Sequence, residues 1–159
     1  MAELFEITEL VKIGIEDEKS GVGFYATMAE RADSERLRAI FADLADQERH
    51  HQRRFEQMLE DLGGHKPTRE QYPGEYAGYL QALTGDRAFP DADAARRMAE
   101  NCPDDRSAVE LAVRFERDTL LLMHEMASLV PDKHRDVVNE LAEEERGHLV
   151  TLADARRAL

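Results

Sequence analysis

The residues of this chain that could do chemistry fall into one constellation that occurs twice. Glu18 is followed by Glu48-Arg49-His50-His51, and Glu116 by Glu145-Arg146-Gly147-His148. The interval from lone glutamate to Glu-x-x-His is 30 residues in the first half and 29 in the second. A glutamate and a histidine three residues apart on a helix project from one face. Two such pairs and two lone glutamates make four carboxylates and two imidazoles, a donor set for two metal ions in the middle of a four-helix bundle. The charges close, because two divalent cations balance four carboxylates while His51 and His148 stay neutral. Oxygen-rich donors with one imidazole per ion suit iron or manganese better than structural zinc, which prefers thiolate and imidazole.

Such a centre needs four long helices, and the spacing of apolar residues predicts them at 3–31, 34–62, 105–129 and 132–157. Asp33-Ser34 reads as a cap and turn, Gly63-Gly64 as the end of the second helix, and Pro131-Asp132 as the break between the last two. The 63–103 stretch holds four of the five prolines and five of the nine glycines. It reads as a crossover with short helices near 75–83 and 91–101. Two tight hairpins joined by one long link predict an all-α, ferritin-like antiparallel four-helix bundle, with residues 1–159 as a single domain.

Each long helix carries a seam that steps alternately by four and three residues, as a bundle core requires. The first runs Leu4, Ile7, Val11, Gly14, Glu18, Gly21, Tyr25, Met28, and the second Leu37, Phe41, Leu44, Glu48, His51, Phe55, Met58, Leu62. The third runs Val109, Val113, Glu116, Leu120, Met123, Ala127, Val130, and the fourth Val138, Leu141, Glu145, His148, Leu152, Ala155, Leu159. All six candidate ligands lie on these seams, near mid-helix. An unpaired buried carboxylate costs several kcal/mol, and crowded carboxylates resist joint ionisation. Metal ions relieve both penalties. Polar residues that merely set the register of a coiled coil are usually single and amide-bearing, which four acids are not.

Other residues read differently. His50 is one position off the seam, a surface group or one standing behind the ligands. His65, His124 and His134 read as solvated, and Glu143 and Glu144 as an exposed acidic face. Tyr25, two turns beyond Glu18, could be a core tyrosine, a hydrogen-bond donor to the centre or a redox-active neighbour. Gly14 and Gly21 bracket Glu18, where missing side chains could admit a small oxidant or permit close helix packing. Nothing near Cys102 points to an activated thiol.

Composition excludes several classes. The chain has 159 residues, 35% charged and 42% hydrophobic, without tryptophan, and its net charge of −13 argues against nucleic acid as a partner. One cysteine rules out a disulfide framework and any Cys-x-x-Cys metal site. No apolar run approaches the ~20 residues of a membrane span, and no signal-peptide pattern begins the chain, so a cytoplasmic location is expected.

The sequence resembles the rubrerythrin and ferritin-like di-iron family. The resemblance rests on "EDEKSGVGFY" with Glu18 and Tyr25, "QERHHQRRF" with Glu48 and His51, and "EERGH" with Glu145 and His148. It covers all four long helices. It implies two iron ions, with manganese fitting the same donors. Glu48 and Glu145 would bridge them, Glu18 and Glu116 would be terminal, and His51 and His148 would each serve one ion. It further implies a non-haem di-iron oxidoreductase acting on H2O2 or O2, fed electrons by a separate donor or by Fe2+. The alternatives are a ferroxidase or iron-binding ferritin-like protein and a non-catalytic metal-binding bundle; exposed helix faces would allow a homodimer. Rubrerythrins carry a cysteine-rich rubredoxin module and an extra glutamate on the third helix, both absent here. Val113 and Thr119 flank Glu116 at three residues, and Met123 stands where internal symmetry would repeat Tyr25.

Overall fold

The computed structural model describes residues 2–63 and 74–159, which form six α-helices and no strand among them. Helices α1 (Ala2–Arg31) and α2 (Glu35–Asp61) make the first hairpin, and α5 (Asp105–Leu129) and α6 (Asp132–Arg157) the second. The crossover carries α3 (Gly74–Gly85) and α4 (Ala92–Glu100). These bounds agree with the expected helices to within one residue for the four long ones and within two for the short pair. His65, Gly64, Pro67 and Pro73 lie outside the described residues. No described helix is long and apolar enough to cross a membrane.

Local chemistry sets the ends. The Ser34 side chain accepts from Leu37 N, Asp91 from Ala94 N and Asp104 from Ser107 N, each filling an amide that a helix start leaves open. Gly63 follows α2 with φ +95°, a conformation in which a side chain would be strained. The Asp105 carboxylate accepts from both Asp33 N and Ser34 N at 2.9 Å, tying the α1–α2 turn to the start of α5.

In the bundle, α1 packs on α2 and α5, and α6 on α5 and α2. The pairs Asp33–Asp105 and Tyr25–Glu116 run in opposite directions along α1 and α5, so these helices are antiparallel. Gln47–His148 and Arg54–Glu140 show the same for α2 and α6. The first hairpin's turn therefore lies beside the start of α5, at the opposite end from the end of α2. The crossover must travel the length of the bundle, which is the ferritin-like topology.

The α2 seam is buried as expected from Leu37 to Met58, with Leu62 only partly covered, while α1 and α5 bury more. On α5 the covered residues include Ala112, Phe115, Thr119, Leu122 and Met126, while Leu120 is only partly buried. That second stripe exists because the crossover adds cover: Phe89 stacks on Phe24 of α1 at 4.7 Å and meets Phe115 of α5 at 5.1 Å. Leu159 lies past the end of α6 and is exposed. His134, expected in solvent, is 5% exposed at the start of α6. It continues the α6 seam back one step of four from Val138, a position that the stepping rule itself covers.

Candidate metal centre

Glu18, Glu48, His51, Glu116, Glu145 and His148 are all brought together, each 0–2% exposed. Four helices deliver them: α1 gives Glu18, α2 Glu48 and His51, α5 Glu116, and α6 Glu145 and His148. Two groups of four could each hold a cation, Glu18 with Glu48, His51 and Glu145, and Glu116 with Glu48, Glu145 and His148. Glu48 and Glu145 belong to both.

The distances show how these two acids are shared. One Glu145 oxygen lies 2.8 Å from His51 Nδ1 and its other oxygen 2.8 Å from His148 Nδ1. Glu48 divides its oxygens likewise, 3.6 Å from His51 and 3.1 Å from His148. Glu18 faces His51 alone, at 3.8 Å, and Glu116 faces His148 alone, at 3.5 Å. The two imidazoles stack nearly parallel, 5.4 Å apart and inclined by 14°.

The donor set fits a pair of cations on an observation of its own. Twelve buried side-chain polar atoms among the described residues lack a hydrogen bond, and nine belong to these six side chains. Buried polar atoms are rarely left so. Short N–O approaches without hydrogen-bond geometry, as at Nδ1 of both histidines, are the mark of lone pairs converging on a common point. The opposite ring nitrogens are satisfied. His51 Nε2 lies 2.8 Å from Glu144 Oε2, and His148 Nε2 lies 2.9 Å from Gln47 Oε1. Both partners are acceptors, so Nε2 carries the hydrogen and Nδ1 is left to face a cation.

Electrostatics says what fills the centre when cations do not. Burial, reinforced by Glu48 beside one and Glu145 beside the other, pushes Glu18 and Glu116 well above the usual carboxylate range. Burial also opposes charge on His51 and His148, but the surrounding carboxylates win and raise both. Glu48 and Glu145 are lowered despite their burial, by close polar neighbours that include both imidazoles. Without a cation, these shifts favour protons on Glu18, Glu116, His51 and His148 and charge on the two shared acids.

The surroundings correct several sequence readings. Glu144 does not merely belong to an exposed face; though 42% exposed, its carboxylate reaches across to His51. Glu143 is exposed and pairs with Arg146, while His50 and His124 are exposed as expected. Tyr25 is buried, and its hydroxyl donates to Glu116 Oε1. A Cβ on Gly21 would sit 2.8 Å from the Phe115 ring and 3.1 Å from Glu48 Cγ, so that space serves close packing and admits no oxidant. At Gly14 a Cβ would meet Met126 at 3.2 Å and Phe55 at 3.5 Å.

Four participants escaped the sequence. Gln47 and Glu144 each precede the shared glutamate of their own motif, an offset that a comparison of the two halves reveals. Asp17, 1% exposed, pairs with Arg87 at 2.8 Å and accepts from Thr119 Oγ1 at 2.9 Å. It continues a second stripe on α1 with Ser20 and Phe24, whereas no local pattern marks Arg87 in the crossover. No curated protein and no solved structure matches the chain. The rubrerythrin family model matches residues 9–156, which takes in most of the four long helices and all six clustered acid and imidazole residues, and the chain belongs to that family.

Proposed function

We propose that the protein is a non-haem di-iron oxidoreductase that reduces hydrogen peroxide or O2. Glu18, Glu48, His51, Glu116, Glu145 and His148 are its metal ligands, with Glu48 and Glu145 bridging. The observation that carries this reading is the division of each shared carboxylate between two imidazoles, which makes sense for two ions and for no single one. A pair of ferrous ions held there would supply two electrons, the number needed to take one peroxide and two protons to two waters.

The chain's own residues have the remaining work. Tyr25, Phe24, Phe41 and Phe115 wall one end, and Phe55, Met123 and Met126 the other; all are at most 1% exposed. Such walls keep bulk water from the reacting centre. Tyr25 donates to Glu116 and holds one terminal carboxylate in place. Glu144 and Gln47 fix the ring orientation and tautomer of the two histidines. Thr119 is turned to Asp17, so it adds nothing to the six.

Protein from iron-replete cells is expected to hold two iron ions per chain. Stopped-flow mixing of the reduced protein with H2O2 and with O2 then tests the reaction. Faster oxidation by peroxide, with no iron accumulating on further Fe2+, supports scavenging. Sustained accumulation would move the assignment to ferrous oxidation. Bound zinc or manganese without turnover would leave a metal-binding bundle only.

A further inference from the structure

The six ligands obey an internal two-fold relation, and the groups behind them break it in one direction. His51 donates to a carboxylate, Glu144, at 2.8 Å, whereas the equivalent His148 donates to a carboxamide, Gln47, at 2.9 Å. Glu116 Oε1 accepts a hydrogen bond from Tyr25, whereas neither oxygen of the equivalent Glu18 has any hydrogen-bond donor. The counterpart of Tyr25 by that symmetry is Met123, which has no hydroxyl to offer.

Both differences act on electron density at the donor atoms. An anionic acceptor on Nε2 pushes charge through the imidazole and makes Nδ1 a better donor to a cation. A hydroxyl that donates to a carboxylate oxygen draws charge away from it. The position formed by Glu18 and His51 has the first effect and lacks the second; the position of Glu116 and His148 has the reverse. Glu48 and Glu145 serve both positions and favour neither.

From this we infer that the two ion positions are unequal, and that the Glu18–His51 position fills first and holds its ion more tightly. The inference rests on the di-metal reading above. Groups hydrogen-bonded behind metal ligands typically change affinity by about 10- to 100-fold. Glu144 is 42% exposed, and solvent screening puts its effect near the lower end of that range.

Anaerobic titration of the metal-stripped full chain with Co(II), followed by visible absorption against a competing chelator, tests the order. Two resolved steps, separated by at least about tenfold, are expected. Glu18→Ala should remove the tighter step and Glu116→Ala the weaker. Glu144→Gln, which keeps the size and the hydrogen bond, should weaken the tighter step about tenfold and leave the weaker unchanged. Tyr25→Phe should strengthen the weaker step alone. Two ions binding in equal steps, loss of the tighter step in Glu116→Ala, or an unmoved tighter step in Glu144→Gln would each overturn the order while leaving the di-metal centre standing. Failure to bind two Co(II) ions would remove the centre and the order with it.

Discussion

His51 and His148 present their Nδ1 atoms to opposite oxygens of one carboxylate, each 2.8 Å from Glu145. His51, His148, Glu18 and Glu116 all hold their protons to above their ordinary pKa values. Divalent ions binding there should therefore displace protons. Affinity for metal should rise steeply with pH through neutrality. Calorimetric titration in buffers of different ionisation enthalpy should show net proton release on metal binding; release of none would contradict the direction of these shifts.

Removing the shared acids should abolish binding at both positions, not one. Glu145→Ala deletes an oxygen from each cluster of four at once. Metal content of Glu145→Ala should fall by more than that of Glu18→Ala, with elemental analysis as the readout. Thermal stability of the metal-free Glu145→Ala chain should change less than its metal content, since the lost group is itself a buried acid.

Gly21 of α1 faces Phe115 of α5 and Glu48 of α2. Gly21→Ala would press a methyl against Phe115 and Glu48 Cγ, and overpacking of this sort typically costs about 1–3 kcal/mol. Urea unfolding measures that loss. Since Glu48 must move with its helix, the variant should also bind metal more weakly, whereas alanine at Gly147, with nothing within 4 Å of its Cβ, should do neither.

Asp17 and Arg87 are a buried ion pair whose burial outweighs its attraction. Burial lifts Asp17 to about 6 even though Arg87 and Thr119 both pull it down. Between the unfolded value of 3.8 and about 6, the folded chain therefore keeps a proton that the unfolded chain has lost. Its contribution to stability is present below pH 4 and declines as pH rises through 6, by about 3 kcal/mol for this group. At pH 7, Asp17→Leu alone should destabilise by about 3–5 kcal/mol, because Arg87 is left buried without its partner. Adding Arg87→Met should recover most of that, since an apolar pair carries no desolvation penalty. A double-mutant cycle by denaturant unfolding checks both, and recovery of less than half would mean the ion pair is itself stabilising.

The four long helices, the six acid and imidazole residues and their common burial could be read from the chain alone. Helical periodicity is local: steps of three and four say which face a residue is on, and caps such as Ser34 act within one turn. His134 obeys the same rule, four residues before Val138 on the α6 seam. Residue types at fixed helical offsets therefore determined which acid and imidazole residues cluster in the core. What each donor touches behind it was decided only by tertiary structure. Glu144 meets His51 and Gln47 meets His148 across 93 and 101 residues of chain. Asp17 finds Arg87 because the crossover folds back along α1. Such pairings depend on how far one helix slides along another and on where a link of 41 residues returns, and neither distance is encoded in the period of any single helix. The difference between the groups behind His51 and His148 arises entirely at that level.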